Sequence, residues 1–147
     1  MSKTRLYVHV VFATKSRQNT LPLDYKRELY AYIYGIITEK DCRVIWINGI
    51  ENHTHILLDL SPTIALADLV KSVKQSSSRW LKNSSKFPHF AGWAEGYFAG
   101  SISPSDVEAC KSYIKNQEPH HKVCSITTEI EDLSRIYSLE FYPNDWI

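Results

Sequence analysis

The order of segments with strand-like and helix-like hydrophobic spacing constrains the fold of this chain more than any other feature. A two-residue alternation over 4–14 predicts a half-buried strand, and apolar residues at helical spacing predict a helix over 23–40. Two runs rich in strand-forming residues, 42–50 and 53–60, are close enough in sequence to form a hairpin. The first part of the chain therefore predicts one strand, one helix and two paired strands.

The next part of the chain continues this pattern. Residues 63–82 return to a helical period, residues 83–94 contain Pro and Gly and predict a loop, and residues 95–103 predict a fourth strand. The order β-α-β-β-α-β is typical of an α+β, ferredoxin-like (RRM-like) fold, in which two helices cover one face of a four-stranded antiparallel sheet.

Two further helices are predicted after the fourth strand. The segment 103–106 (SPSD) is typical of a helix start, because Ser is a good N-cap, Pro fits the first turn and an acid follows. This helix is expected to end at about Gln117, before Pro119. A last short helix is predicted over 129–137 from four apolar residues, Ile130, Leu133, Ile136 and Tyr137.

Length and composition are those of one globular domain. The 147 residues are 44% hydrophobic and 22% charged, which excludes a disordered or fibrous chain. We expect a single domain over 1–147, with a core at about 4–121 and an acidic tail at about 122–147. No apolar run approaches 18 residues, so no transmembrane helix is expected. The three cysteines are odd in number and lack Cys-x-x-Cys spacing, which argues against a disulfide framework or a thiolate zinc site and favours reduced cytosolic thiols.

The net charge of +1 conceals an uneven distribution. Residues 1–90 contain 13 Lys and Arg against 7 Asp and Glu, whereas residues 91–147 contain 4 against 9. The basic part indicates a surface for an anionic partner, and the C-terminal part is acidic.

Two histidines are placed to act together at the start of the third predicted strand. His53 and His55 are two residues apart, so they lie on one face of a strand with their Cα atoms roughly 6.6 Å apart. Thr54, Ile56 and Leu58 take the opposite face, which is the expected core side. Two imidazoles so placed can share one metal ion. The alternative is a pair of unrelated surface histidines.

Tyr113 and Gln117 are neighbours on one face of the helix that starts at 104, because they are four residues apart. A phenol beside an amide oxygen would place a nucleophile next to a metal ligand. The alternative is a tyrosine that packs its ring against the core and a glutamine exposed to solvent.

Together these segments resemble a single-tyrosine HUH-type transposase of minimal bacterial insertion sequences. The similarity lies in the His pair of 53–55, in the early segment 14–17, in the strand 95–103 and in the helix 113–117 followed by His120 and His121. The chain departs from the family at Thr54, where a bulky apolar residue is usual, and at Ala94, where Gln is frequent. The resemblance covers about residues 4–121.

The resemblance implies a tyrosine transposase that cuts and rejoins single-stranded DNA. Tyr113 would attack a phosphodiester and leave a 5′-phosphotyrosine and a 3′-hydroxyl, which conserves the bond energy for rejoining. A divalent ion, Mg²⁺ or Mn²⁺, held by His53, His55 and Gln117 would polarise the phosphate. Imidazole is an unusual ligand for Mg²⁺, so we expect weak metal binding until DNA supplies oxygens. The sequence assigns no general base.

The resemblance also implies a homodimer with possible composite active sites, in which the tyrosine helix is a mobile appendage that can dock on the partner. Tyr113 would lie far from His53 within one chain if it docks on the partner, and the sequence leaves docking within one chain or on the partner open. The implied DNA partner is a single-stranded hairpin at the element's ends, and the implied location is the bacterial cytoplasm or nucleoid, without a membrane. Candidate DNA-binding residues are basic positions in the first part of the chain, namely Lys15, Arg17, Lys71, Lys74, Arg79, Lys82 and Lys86. The alternative for those between 63 and 82 is a solvated helix face.

The remaining histidines and three tryptophans receive structural interpretations. His120 and His121 would diverge on a regular element and are assigned a surface or helix-end role. His9 and His89 have no identifiable partner in the sequence. The tryptophans predicted to pack in the core are Trp46, Trp80 and Trp93.

Three other functions compete with transposition. The first is a non-catalytic ferredoxin-like domain that binds single-stranded nucleic acid by stacking on its sheet, although the RNP1-type run is missing. The second is a domesticated relative that processes repeated palindromic DNA. The third is metal-dependent hydrolysis of a small phosphate substrate, which needs no tyrosine nucleophile.

Overall fold

Four strands form one antiparallel sheet in the computed structural model, which describes residues 2–140. The strands are β1 (Tyr7–Ala13), β2 (Arg43–Ile50), β3 (His53–Asp59) and β4 (Phe98–Ser101), and their order in the sheet is β2-β3-β1-β4. Helix α1 (Lys26–Glu39) connects β1 to β2, and helix α2 (Leu66–Lys82) connects β3 to β4. This arrangement confirms the predicted α+β, ferredoxin-like fold.

Helices α1 and α2 cover one face of the sheet. Val10 and Phe12 of β1 and Ile56 and Leu58 of β3 point into this layer, as their two-residue period predicts. Each helix contributes an apolar stripe at helical spacing, formed in α1 by Leu29, Ile33 and Ile37 and in α2 by Leu69, Val70, Val73 and Leu81. The burial of these side chains is the main driving force for folding.

Three more helices cover the opposite face, so the domain has three layers where the sequence predicted two. They are α3 (Val107–Lys115), α4 (Gln117–His121) and α5 (Ile126–Ile136). Helix α3 packs against β2 and β3, while α5 packs against β1 and β4. Both central strands carry apolar side chains on this second face as well, Val11 on β1 and Leu57 on β3, and that surface needs a cover.

Helix α3 packs on the sheet in this structure, in the place where the resemblance implies a mobile appendage. Ile114 on α3 is completely buried. Helix α5 adds an apolar stripe of Ile126, Ile130 and Leu133, which packs against Val11. The predicted last helix thus exists and closes the second layer.

Several element boundaries differ from the prediction. The helix predicted from 104 to 117 begins with a 3₁₀ turn, ends at Lys115 and is followed by α4. Pro119 lies inside the first turn of α4, where a missing N–H breaks no helical hydrogen bond. Helix α5 begins at Ile126 because Ser125 accepts a hydrogen bond from the backbone N–H of Thr128 and so caps it. Ile136 is 71% exposed and does not belong to the apolar face of α5.

Gly100 on β4 lets a ring from the C-terminal part approach the sheet. A Cβ atom at this position would lie 2.5 Å from Cγ of Tyr137, so any larger residue would displace that ring. Among the elements of residues 2–140, none is a helix both long and apolar enough to span a bilayer.

Ile114→Ala is expected to lower the free energy of unfolding by about 2–5 kcal/mol, because it empties a fully buried position under α3. Ile136→Ala makes the same chemical change at an exposed position and is expected to change stability by less than about 0.5 kcal/mol. Urea unfolding followed by circular dichroism measures both variants. Similar losses in the two would contradict the anchoring of α3.

Candidate functional site

The face of the sheet beneath α3, α4 and α5 carries a row of polar side chains. His55 of β3 pairs in register with Val11 of β1 and with Asn48 of β2, which places His9 and His53 on the same face. The side chains of His9, His53 and His55 are completely buried. The predicted His pair therefore shares a face and points away from α1 and α2, but it is buried by the second helical layer.

The carboxylate of Glu129 on α5 lies at the centre of this buried cluster. Its Oε1 atom lies 3.1 Å from Nε2 of His53, 3.2 Å from Nε2 of His55 and 2.9 Å from Nε2 of His121. Glu129 itself is 1% exposed. Three imidazoles thus converge on one carboxylate oxygen.

Sequence reasoning missed Glu129, although the chain carries a signal for it. Glu129 lies three residues after Ile126, one before Ile130 and four before Leu133, so it falls within the apolar stripe of α5. An acidic residue at a core-facing position is rare unless it has partners. That position in the stripe was the available clue.

Tyr113 and Gln117 reach the same carboxylate from α3 and α4. The hydroxyl of Tyr113 donates a hydrogen bond to Oε2 of Glu129, and the Tyr113 ring centroid lies 5.9 Å from that of His55. The amide Nε2 of Gln117 donates to Oε2 over 3.1 Å, while its Oε1 lies 3.1 Å from Nε2 of His53. Tyr113 therefore lies close to the His pair within one chain in this structure, whereas docking on a partner would place it far from His53.

His120 and His121 join the cluster, contrary to the helix-end role expected from the sequence. The short helix α4 keeps their ring centroids 4.9 Å apart instead of sending them to opposite sides. Nε2 of His120 lies 3.4 Å from Oε2 of Glu129, whereas His121 contacts Oε1.

A second set of hydrogen bonds fixes the orientation of the His pair. Nδ1 of His53 lies 2.7 Å from Oδ1 of Asn52, and Nδ1 of His55 lies 2.8 Å from Nε2 of His9. Nδ1 of His9 in turn lies 3.2 Å from the hydroxyl of Tyr137. His9, which has no partner identifiable from sequence, therefore holds His55 in place.

The charges of the cluster are set by burial and by these contacts. Burial lowers the pKa of His53 to about 4 and that of His9 to about 3, so both rings are neutral at pH 7. Burial alone would raise the pKa of Glu129, but hydrogen bonds with His121, His53 and His55 outweigh it and hold that pKa well below its ordinary value. Burial, followed by the adjacent Glu129, raises the pKa of Tyr113 well above its ordinary value.

The donor atoms of the cluster fit a divalent metal ion. The ligand atoms of His53, His55 and Glu129 all lie within 4.8 Å of one another, and the same holds for the group of His120, His121 and Glu129. Neutral imidazoles and an ionised carboxylate are ordinary metal ligands in proteins.

Four of the predicted DNA-binding residues line an open groove of about 870 Å³. This groove lies between α2 and the segment 91–95, and its cations are Lys15, Lys74, Arg79 and Lys82. The ammonium group of Lys74 donates to the carbonyl oxygens of Ala94 and Gly96, which holds the segment against the helix. Burial lowers the pKa of Lys74, an effect that Glu95 opposes.

The other three predicted DNA-binding residues lie outside this groove. Lys86 forms a 2.6 Å ion pair with Glu28, and Lys71 is exposed on α2. Arg17 lies in a 3₁₀ turn with Lys15 and has φ of 51°.

Two of the three tryptophans pack in the core as predicted. Trp80 stacks on Tyr32, and Trp93 donates a hydrogen bond from Nε1 to Oγ of Ser77. The prediction is wrong for Trp46, which is 37% exposed and has Nζ of Lys115 4.3 Å from its ring centroid.

Comparisons with known proteins agree on one family. Residues 2–117 match the family described as "Transposase IS200 like". Transposases of the insertion sequence element IS200 from Salmonella typhimurium and Salmonella typhi are each 22% identical over 120 residues, which is 78% of this chain and 78% of theirs.

Two solved structures share the fold. A candidate transposase from Deinococcus radiodurans R1 superposes with a TM-score of 0.59 and 26% identity, covering 79% of this chain and 93% of that one. A REP-associated tyrosine transposase bound to a REP hairpin superposes with a TM-score of 0.61 and 15% identity, covering 100% of this chain and 92% of that one.

Asn48→Ala is expected to loosen the C-terminal end of α3. The Asn48 amide donates to the carbonyl oxygens of Ile114 over 3.0 Å and Lys115 over 3.1 Å, and its Oδ1 accepts from Lys26. Its loss should reduce stability by about 1–3 kcal/mol and speed amide hydrogen exchange in α3. Asn19→Ala, in an exposed loop, is the control. Unchanged exchange in Asn48→Ala would show that this side chain does not hold the helix.

Proposed function

Because the chain belongs to the IS200-like transposase family, which cuts and transfers DNA, we propose that it cleaves and rejoins single-stranded DNA with Tyr113 as the nucleophile. His53, His55 and Gln117 are the proposed metal ligands. The observation that carries the proposal is that all four side chains meet within one chain, around Glu129.

The proposed reaction is an exchange of phosphodiester bonds. The oxygen of Tyr113 attacks the phosphorus, the bond from phosphorus to the 3′ oxygen breaks, and a 5′-phosphotyrosine and a 3′-hydroxyl result. A bound divalent ion, Mg²⁺ or Mn²⁺, supplies charge stabilisation at the phosphate oxygens. Rejoining reverses these bond changes, so it needs no nucleotide cofactor.

The protein's own residues set the starting state of Tyr113. Burial and Glu129 raise its pKa, so the phenol carries its proton at neutral pH and donates it to the carboxylate as a hydrogen bond. Gln117 donates to the same carboxylate oxygen and fixes its position. As the oxygen attacks, its proton passes to the Glu129 carboxylate, and the leaving 3′ oxygen takes up a proton to give the 3′-hydroxyl.

The proposed substrate is a DNA hairpin that approaches along the groove beside α2. The hairpin in the REP-associated structural neighbour supports this class of substrate. Lys15, which lines the groove, lies two residues after Ala13, which pairs in register with His53. The groove and the His pair therefore lie at the same end of the sheet, and its four cations offer phosphate contacts.

We also propose that the protein acts as a homodimer and that residues 1–147 form a single functional domain. Tyr113 already contacts Glu129 within its own chain, so a partner is not needed to assemble these residues. A relative that processes repeated palindromic DNA is the second candidate, because the REP-associated neighbour shares the fold over all of this chain.

A covalent adduct tests the nucleophile. With Mn²⁺ and a single-stranded hairpin, the wild-type protein should form a protein–DNA adduct that survives denaturing electrophoresis. Tyr113→Phe keeps the partly buried ring but lacks the attacking oxygen, so it should form none. Tyr97→Phe, the same change at a more exposed position, should form the wild-type amount. Hairpins from the element's ends and from repeated palindromes, run in parallel, separate the two candidates.

A protein–DNA adduct formed by Tyr113→Phe would contradict the assignment of Tyr113 as the nucleophile. A mixture of Tyr113→Phe with a His53→Ala/His55→Ala protein tests whether the tyrosine and the histidines of one active site come from the same chain. The mixture should stay inactive if α3 acts within its own chain, whereas recovered cleavage would show that a homodimer exchanges this helix.

If the hairpin binds in the groove, removing cations from the groove should weaken the electrostatic part of hairpin binding. Arg79→Ala/Lys82→Ala removes two of its cations and should lower the slope of log affinity against log salt by about 1.5, close to the value for two phosphate contacts. Arg27→Ala/Lys40→Ala removes the same charge from exposed positions outside the groove. Hairpin binding by fluorescence anisotropy at several salt concentrations measures both. Equal slopes in the two double variants would contradict a hairpin in the groove.

A further inference from the structure

Trp46 presents an aromatic ring at the edge of the sheet. It lies on β2, which is the outermost strand beyond β3, and it is 37% exposed to solvent. Tryptophan is highly buried on average, because its ring carries a large apolar surface. Trp80 and Trp93 follow that rule and pack in the core. The exposed ring of Trp46 therefore leaves aromatic surface open to a partner.

Two ammonium groups of α3 lie against this ring. Nζ of Lys115 lies 4.3 Å from the ring centroid of Trp46, and Nζ of Lys111 lies 5.4 Å from it. Within residues 2–140, neither lysine forms an ion pair with a carboxylate, and Glu118, three residues after Lys115, is paired with Lys26 instead. Trp46, Lys111 and Lys115 thus form an aromatic and basic surface, the Trp46 patch.

The Trp46 patch borders the buried cluster of the proposed active site. Trp46 pairs in register with Leu57, which makes His55 its diagonal neighbour on β3, with the two Cα atoms roughly 7–8 Å apart. The two lysines flank Tyr113 on α3, one of them two residues before it and the other two residues after it. A DNA strand with its reacting phosphate at Tyr113 therefore carries its adjacent nucleotides close to the patch.

We propose that the Trp46 patch binds an unpaired nucleotide of the single-stranded DNA, with its base stacked on the indole ring and the adjoining phosphates on the two ammonium groups. This inference rests on the proposed function and deepens it, because it names where the strand beside the reacting phosphate is held. The patch belongs to β2 and α3, whereas the groove lies between α2 and the segment 91–95. The hairpin and the unpaired strand therefore have separate binding surfaces.

The chemistry of the patch suits an unpaired nucleotide. Every base has a π-face that stacks on an aromatic ring whatever the sequence, and flanking cations contact phosphate oxygens. In a duplex, each base already stacks on its neighbours, so its faces are not free. A purely apolar partner would cover the ring but would remove the two ammonium groups from water without an anion to compensate them. An anionic ligand with an exposed aromatic face satisfies both parts of the patch.

Binding of a fluorescent single-stranded thymidine oligonucleotide by the full-length protein, measured by anisotropy, tests the stacking. Trp46→Leu keeps an apolar side chain but lacks a π-face, so it should weaken binding by about 5- to 150-fold, the loss for one stacked base. Trp46→Phe retains an aromatic face and should keep most of the affinity. Tyr34→Leu makes the same kind of change at a 53% exposed position on α1 and should bind like the wild type. Circular dichroism of each variant verifies that it is folded.

The salt dependence of the same binding tests the two lysines. Lys111→Gln/Lys115→Gln keeps much of both stems and removes the charges, so it should lower the slope of log affinity against log salt by about 1.4, the value for two phosphate contacts on a single strand. Lys3→Gln/Lys40→Gln removes the same charge from exposed positions on other elements and should keep the wild-type slope.

Three results would overturn the proposal. The first is wild-type affinity in folded Trp46→Leu. The second is a Trp46→Phe protein that binds as weakly as Trp46→Leu, because packing of the side chain and not stacking would then account for the loss. The third is an equal salt slope in the two double variants.

The result is independent of DNA cleavage, because binding is measured in the presence of a chelator. Binding that depends on Trp46 in a protein that forms no Tyr113 adduct would leave the patch intact and refute the proposed function. A protein that forms the adduct, and whose Trp46→Leu variant binds the oligonucleotide as the wild type does, would do the opposite.

Discussion

One buried negative charge organises the second face of this protein. A carboxylate that leaves water costs several kcal/mol unless charged or hydrogen-bonding partners compensate for it. Glu129 is compensated by side chains from three separate elements, namely His53 and His55 of β3, Tyr113 of α3, and Gln117, His120 and His121 of α4. The helices after the sheet are thus positioned relative to β3 through a common polar centre.

This centre lies within an apolar frame that fixes its position. Ile126, Ile130 and Leu133 seat α5 on β1 and β4, while Ile114 and Asn48 seat α3 on the other half of the sheet. The frame supplies the burial that makes the carboxylate–imidazole contacts strong. It also brings Tyr113 to the histidine–carboxylate cluster within one chain.

The sequence predicted those features that depend on local periodicity. The alternation in β1 and β3 and the stripes of α1 and α2 determine the ferredoxin-like sheet, and the spacing of His53 and His55 follows from the strand period. Local periodicity places Glu129 in the apolar stripe of α5 but does not identify its partners, because its contact with His55 spans 74 residues and depends on how α5 packs. The convergence of His120 and His121 likewise depends on the break between α3 and α4, which local propensity places poorly.

The two-sided burial of the central strands has a consequence for how the chain tolerates change. Every residue of β3 is buried, and β1 is buried from His9 onward, with one face against α1 and α2 and the other against the polar cluster and α5. A substitution in either strand therefore alters the packing of a whole layer, whichever way the side chain points. Neutral drift among relatives should accumulate at the edge strands and on the outer surfaces of the helices, while β1 and β3 change only together with the residues that cover them.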